Sequence, residues 1–222
     1  MNITAGQRSA GTLDVEDELA MYRLRHRVFY ERLSWDVRGS DAMEYDEYDQ
    51  LDAAYVIVKN DEDVVFGCWR MLPTTGPYML RDVFPQLLGD QPAPQDDTVW
   101  ELSRFAVESA GGGNPAFSPI VVATMCAAVR YALDRGVNRF VTVTTAAIER
   151  MLKRLGVKTR RLCTPMSIGV ERMTLAIDID IDEALHTLLC AHVEAHAAAA
   201  RQPLPAEPVP APAEQVPMPV AA

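Results

Sequence analysis

Along the first 200 residues the period of the apolar positions changes repeatedly, and the order of those changes limits the fold more than any other feature. Val15–Leu33 carries Leu24, Val28 and Phe29 among its apolar positions and predicts one or two helices. Ala53–Val58 and Val64–Leu72 predict neighbouring strands, joined through the turn-prone Asn60-Asp61-Glu62-Asp63. Val99–Val107 predicts another strand. Pro119–Asp134 predicts a buried helix closed by Gly136. Phe140–Thr144 reads as a short β-branched strand, Ala146–Leu155 as a helix ending at Gly156, and Val157–Leu162 as a strand. Leu175, Ile177, Ile179 and Ile181 alternate with Ala176, Asp178, Asp180 and Asp182, which is the period of a strand with one wet face. Ala184–Ala200 predicts a terminal helix. Strands that are partly adjacent and partly separated by helices imply an α/β domain, a mixed sheet flanked by helices.

That domain is expected to span residues 1–200. Residues 201–222 form a tail with prolines at 203, 205, 208, 210, 212, 217 and 219. Such spacing blocks both helix and sheet hydrogen bonding, so a disordered tail is expected. The formal net charge of −10 disfavours non-specific nucleic-acid binding. Cys68, Cys126, Cys163 and Cys190 form no CxxC pair and read as reduced, packed cysteines. The N-terminus shows no basic region followed by an apolar signal core, and no apolar run is long enough to span a bilayer. The expectation is a cytoplasmic protein without membrane insertion.

Charge supplies the functional signal. Three blocks between Arg25 and Arg104 place arginines and carboxylates beside bulky aromatics: RHRVFYERLSWDV (Arg25–Val37), MEYDEYD (Met43–Asp49) with GCWR (Gly67–Arg70), and WELSRFAV (Trp100–Val107). Charges are costly to bury alone, so apolar neighbours around them imply either a paired network or a polar ligand pocket. A pocket of both signs suits a zwitterion.

These residues also carry a resemblance. LRHRVFYERLSWDV, EYDEYD, GCWRMLPTTGPYML, VWELSRFAV and the VTVTT stretch, in that order, resemble the acyl-homoserine lactone synthases, the autoinducer synthases of bacterial quorum sensing. The similarity runs through nearly all of residues 20–180. It implies a mostly antiparallel sheet akin to the GNAT acyltransferases. It also implies a reaction between S-adenosylmethionine, as substrate, and an acyl chain on acyl carrier protein, as partner. The methionyl amine attacks the thioester, and the carboxylate then displaces 5′-methylthioadenosine and closes the lactone. No metal and no cofactor are implied.

Residue by residue, the resemblance makes Glu101 the candidate base, acting through a water, with Ser103 nearby. Arg25, Arg70 and Arg104 are expected to hold a carboxylate or stabilise charge on the thioester oxygen, and Asp46 and Asp49 to orient the amino group or those arginines. Phe29 and Trp35 are expected to cover the S-adenosylmethionine site, and Phe105 falls on a signature position. Thr144 matches a threonine linked to acyl chains oxidised at the third carbon, where a hydroxyl can donate to the keto oxygen. The wording looks most like synthases of long 3-oxo products. Arg150, Lys153 and Arg154 share a helix face and suit an acidic carrier protein.

Each of these readings has a structural alternative. The ions can form a purely structural network, and Trp35, Trp69, Trp100 and Phe105 can be core. Trp69 is assigned to the core. Thr144 can be an ordinary strand residue, and the basic face a solvated one. Met79, Leu102, Met125, Val143, Met151 and Leu152 can line an acyl tunnel, but read mostly as core. His192 and His196, four apart, match no HExxH motif and lack a third ligand, so a surface helix is expected there. Gly111-Gly-Gly-Asn-Pro reads as a loop, not a phosphate cradle. The rival functions are an acyl-coenzyme A-dependent N-acyltransferase, whose pyrophosphate-loop motif is not visible, and a non-catalytic carrier-binding module.

Overall fold

The computed structural model describes residues 1–108, 119–169 and 171–200, with 199 and 200 for their backbone alone. In chain order the elements are β1 (Asn2–Gln7), α1 (Val15–Arg25), a π-helical continuation (His26–Arg32), β2 (Gly39–Ser40), β3 (Met43–Glu44), a 3-10 turn (Glu47–Gln50), β4 (Ala54–Lys59), β5 (Val65–Pro73), α2 (Met79–Asp82), a second 3-10 turn (Pro85–Leu88), β6 (Val99–Val107), α3 (Pro119–Leu133), β7 (Arg139–Thr145), α4 (Ala146–Arg154), β8 (Thr159–Arg161), β9 (Met166–Ile168), β10 (Glu171–Asp180) and α5 (Glu183–Ala200).

Local chemistry explains several boundaries. The Asp14 side chain caps α1 by accepting from Glu16 N at 2.7 Å, and Glu16, Asp17 and Glu18 complement the helix dipole. Asn60 Oδ1 accepts from Glu62 N and Val64 N, which closes the β4–β5 turn. Gly136, at φ +76°, lets the α3 terminus fold back so that Val137 N reaches Ala132 O. The Thr145 hydroxyl caps α4 through Ile148 N.

The main sheet runs β1-β4-β5-β6-β7-β10-β8, with β9 also paired to β10. Every pair is antiparallel except β6–β7. Both faces are covered, because strand alternation delivers apolar side chains to two cores. Ala54, Val56, Met71, Leu102 and Ile177 pack with α3, α4 and α5. Tyr55, Ile57, Leu72 and Ala176 pack with α1, the π-helical turn and α2. The α/β class and the mostly antiparallel mixed sheet agree with the reading of the sequence.

Several details differ. The sequence reading did not include β1, β9 or α2, and the strand expected over Val157–Leu162 contracts to three residues. The wet face expected for β10 is not wet at Asp178, which is buried and ion-paired with Arg160. With both sheet faces covered, that carboxylate needs a cation beside it. The glycine-rich loop at 111–115 and the tail at 201–222 lie outside the described residues. Among the described residues no helix is long and apolar enough to cross a membrane.

Candidate active site

The site begins where the sheet opens. β6 and β7 pair only over Val99–Leu102 and Arg139–Thr142. Beyond that the strands part, and Ser103, Arg104 and Phe105 on one side face a cavity also lined by Val143, Thr144 and Thr145 on the other. Its volume is about 730 Å³. A β-bulge marks the parting. Cys68 pairs with Ala106 and Arg70 with Ser103, so Trp69 alone stands opposite Arg104 and Phe105. Arg104 takes φ +55°, a left-handed conformation that is uncommon for a residue with a Cβ. The bulge sets the Arg104 side chain between the cavity and a buried charge cluster.

That cluster holds three arginines and three carboxylates. Arg25 forks onto Asp49 through both terminal nitrogens, at 2.8 and 2.9 Å, and its Nε donates to Glu44. Arg70 donates to both Asp46 and Asp49, and through Nε to Ser103 Oγ at 3.1 Å. Arg104 donates from Nε to Glu44 at 2.9 Å and reaches Asp46 at 2.8 Å. The Tyr55 hydroxyl donates to Asp49 at 2.6 Å. Asp46 and Asp49 form a reciprocal capping box around the turn at Glu47–Gln50, so local backbone geometry presents both carboxylates together. Charges of opposite sign cancel, which is the condition for burying so many. Burial pushes the Asp49 carboxyl up, but the charges of Arg25 and Arg70 outweigh it and hold the group well below the usual range.

Glu101 differs from the other acids. It is 1% exposed and lines the cavity. Its two oxygens accept from Met79 N at 2.9 Å and Leu80 N at 2.6 Å, at the start of α2. Burial raises its pKa to about 7, against the opposing pull of those amides and of Arg70 and Arg104. It is a carboxylate poised to exchange a proton near neutrality.

An aromatic wall stands opposite. The π-helical turn widens the chain so that Leu33 N bonds Val28 O and Trp35 N bonds Phe29 O. Phe29 and Trp35 then stack face to face, with centroids 5.1 Å apart and planes 2° from parallel. Trp35 Nε1 donates to Glu171 at 2.9 Å, and the Arg104 guanidinium lies 5.9 Å from the Phe29 ring centre.

The structure therefore divides the sequence-derived residues into two groups. Glu101, Ser103, Arg104, Phe29, Trp35, Phe105 and Thr144 line the cavity. Arg25, Arg70, Asp46 and Asp49 form the charge cluster behind it and do not line it, and both Arg25 and Arg70 are fully buried. Met79, Leu102, Met125, Val143, Met151 and Leu152 all line the cavity, although most are also buried core. Trp69, assigned to the core, also lines it and packs on Phe105 at 4.9 Å. Sequence reasoning missed Glu44, a fully buried acid that joins Arg25 to Arg104. Its place within MEYDEYD was the available signal.

The basic residues from Arg150 to Arg161 differ in their surroundings. Arg150 and Arg154 are exposed, line the cavity's outer rim and carry no ion pair among the described residues. Lys153 and Arg161 both pair with the buried Glu149, and Arg160 pairs with Asp178. His192 Nε2 meets Leu155 O at 3.1 Å, at the end of α4.

Comparison with known proteins identifies the family of the chain. The family model for autoinducer synthases matches residues 12–188. The acyl-homoserine-lactone synthase of Pseudomonas aeruginosa is 44% identical over 164 residues, covering 73% of this chain and 81% of that protein. The solved structure of TofI in a ternary complex with an inhibitor and MTA is 39% identical, with a TM-score of 0.73 over 86% of this chain and 97% of that one. The structure of BjaI, a CoA-dependent acyl-homoserine lactone synthase with SAM and isopentyl-CoA, is 26% identical, with a TM-score of 0.77 over 86% and 89%. A matched family model spanning most of the chain, with relatives at this identity and coverage, establishes that the chain belongs to the autoinducer synthase family.

Proposed function

We propose that this chain is an acyl-homoserine-lactone synthase that joins an acyl chain to S-adenosyl-L-methionine and closes the product to an N-acyl-L-homoserine lactone. One observation carries the reading: a single cavity has a polar, aromatic end and an apolar end. Glu101, Ser103, Arg104, Phe29 and Trp35 form the first, and Met125, Met151 and Leu152, which share one apolar core, form the second. A cationic amino acid with an aromatic base fits the first end, and a fatty chain the second.

The amine of S-adenosyl-L-methionine must lose a proton before it attacks. An α-amine titrates near about 8, so a carboxylate with a pKa of about 7 can accept that proton through one water. The nitrogen then bonds to the thioester carbonyl carbon, and the carbon–sulfur bond breaks to release the carrier thiol. The Arg104 guanidinium is the cluster's one cation on the cavity wall and supplies positive charge toward the oxygen that becomes negative. In the second step the carboxylate attacks the γ carbon, and 5′-methylthioadenosine leaves with the sulfonium sulfur. Arg25, Arg70, Asp46 and Asp49 hold Arg104 and Ser103 in place rather than touching substrate.

The acyl donor in this reading is acyl carrier protein, because Arg150 and Arg154 present positive charge at the rim without an ion pair among the described residues. The Thr144 hydroxyl faces the cavity without a protein partner among the described residues, which supports a 3-oxo chain. The second reading, acyl-coenzyme A as donor, is favoured by BjaI. The deciding experiment supplies purified protein with S-adenosyl-L-methionine and either acyl-carrier protein or acyl-coenzyme A, then follows lactone and methylthioadenosine by mass spectrometry. Lactone from the carrier-bound donor supports the proposal. Lactone only from coenzyme A moves the donor, and no lactone from either defeats the reading.

A further inference from the structure

Away from the cavity, α3 and α5 bring three ligand-type side chains together. Cys126 lies on α3, and His186 and Cys190 lie on α5. The four-residue spacing puts His186 and Cys190 on one face of their helix. Cys190 Sγ is 2.8 Å from Cys126 Sγ and 3.6 Å from His186 Nε2. All three ligand atoms lie within 4.8 Å of one another, and each residue is half-buried. None lines the cavity. The cysteines are 64 residues apart in sequence, so no spacing motif announces the site.

Cys126 packs against the apolar core, but apolar packing alone gives no reason for an imidazole to join the two sulfurs. Two thiolates and a neutral imidazole are the ligand set of a borderline-soft cation, and zinc binds them at about 2.3 Å to sulfur and 2.0–2.1 Å to nitrogen. In a tetrahedron those lengths place sulfur about 3.5 Å from nitrogen and about 3.7 Å from sulfur. The Cys190–His186 separation already meets the first value. The second asks the thiols to part by about 1 Å, within reach of a small χ1 adjustment.

We propose that Cys126, His186 and Cys190 form a zinc site that clamps α5 to α3. On binding, each thiol releases one proton to solvent, the imidazole coordinates through Nε2, and no group changes oxidation state. A water completes the four-coordinate shell. The clamp bears on the proposed acyl pocket indirectly, because α3 also carries Val121 and Met125 in the cavity wall. The chain's net charge of −10 favours cation uptake over anion uptake.

The test uses the full-length protein, kept reduced, with a zinc salt as the probe and a chromophoric chelator as competitor. One equivalent of zinc should bind. At free zinc about a hundredfold above Kd, the melting temperature should rise by about 5–10 °C. Cys126→Ser, Cys190→Ser and His186→Ala should each weaken binding by at least about tenfold, the loss seen even for outer-shell partners. Cys163→Ser should leave it unchanged. Should either cysteine variant fail to fold, His186→Ala decides alone, since it trims a half-buried helix side chain. No zinc uptake, or uptake unaltered by His186→Ala, overturns the proposal. So does a Cys126–Cys190 disulfide, seen in air as the loss of two titratable thiols, in a protein that binds no zinc when reduced.

Discussion

Replacing Arg25 by Met separates a supporting role from a substrate-binding one. Met keeps the length of the buried stem but removes three hydrogen bonds, one to Glu44 and two to Asp49. The cluster then holds two arginines against three carboxylates, and all three carboxylates are buried. Breaking a buried pair from one side costs about 3–5 kcal/mol, mostly because the surviving charge stays unpaired. For a chain of this size each kcal/mol lowers the melting temperature by about 2–4 °C, so a fall of about 6–20 °C is expected. Thermal unfolding reads that fall, and urea unfolding of wild type and variant, with similar m-values, reads the free-energy loss.

The pH dependence has a defined sign. In the wild type the folded-state pKa of Asp49 is depressed, so its contribution is present above about 4 and is lost as pH falls further. Without Arg25 that depression shrinks, and the gap between the two proteins should narrow in acid. Adding Asp49→Asn to the variant should recover part of the loss. A destabilisation under about 1 kcal/mol, joined to a large rise in KM for S-adenosyl-L-methionine, would refute the argument and return Arg25 to the substrate.

Further outcomes follow from the same geometry. Glu101→Gln should cut turnover by about 10²–10⁴-fold and abolish the limb of kcat/KM that rises with pH through about 7 in the wild type; a retained limb excludes Glu101 as the base. Thr144→Val should lower kcat/KM for a 3-oxo chain about fivefold relative to its unoxidised counterpart, the worth of one neutral hydrogen bond, and equal losses for both chains would contradict it. Arg150→Glu with Arg154→Glu should raise KM for the carrier-bound donor and flatten its salt dependence, whereas Lys153→Glu should do less because Glu149 already holds Lys153; equal effects would count against the rim as the docking face.

Legibility in the sequence followed physical cause. The helix Ala146–Arg154 was readable because its apolar period is strong and Thr145 caps it locally, and the strand Val99–Val107 because it is a short, largely apolar run. β1 was not, because NITAGQ has few β-forming residues and becomes a strand by pairing along the edge of β4. The acids and arginines were visible as a set, but their depth was not. Nothing in the words RHRVFYER or GCWR tells that Arg25 and Arg70 sit behind the wall and Arg104 in it, because the bulge that sets Arg104 and Phe105 opposite Trp69 decides that. Trp69 misled for the same reason: alternation puts it opposite Arg70, and only the parting of β6 from β7 turns that face into a cavity. Glu44 was hidden by proximity to more conspicuous neighbours.

The parting of β6 and β7 has a bearing on how such a protein can diversify. The charged end of the cavity is anchored by α1, the turn at Glu47–Gln50 and β5, whereas the apolar end is walled by α3, β7 and α4. Between them, β6 and β7 share only four residue pairs of parallel ladder before they part. Met125 and Leu152 belong to the core on the opposite side of the sheet from Phe29 and Tyr55, which adjoin the charge cluster, so a lineage can retune the depth of the slot there while the reacting centre is inherited intact.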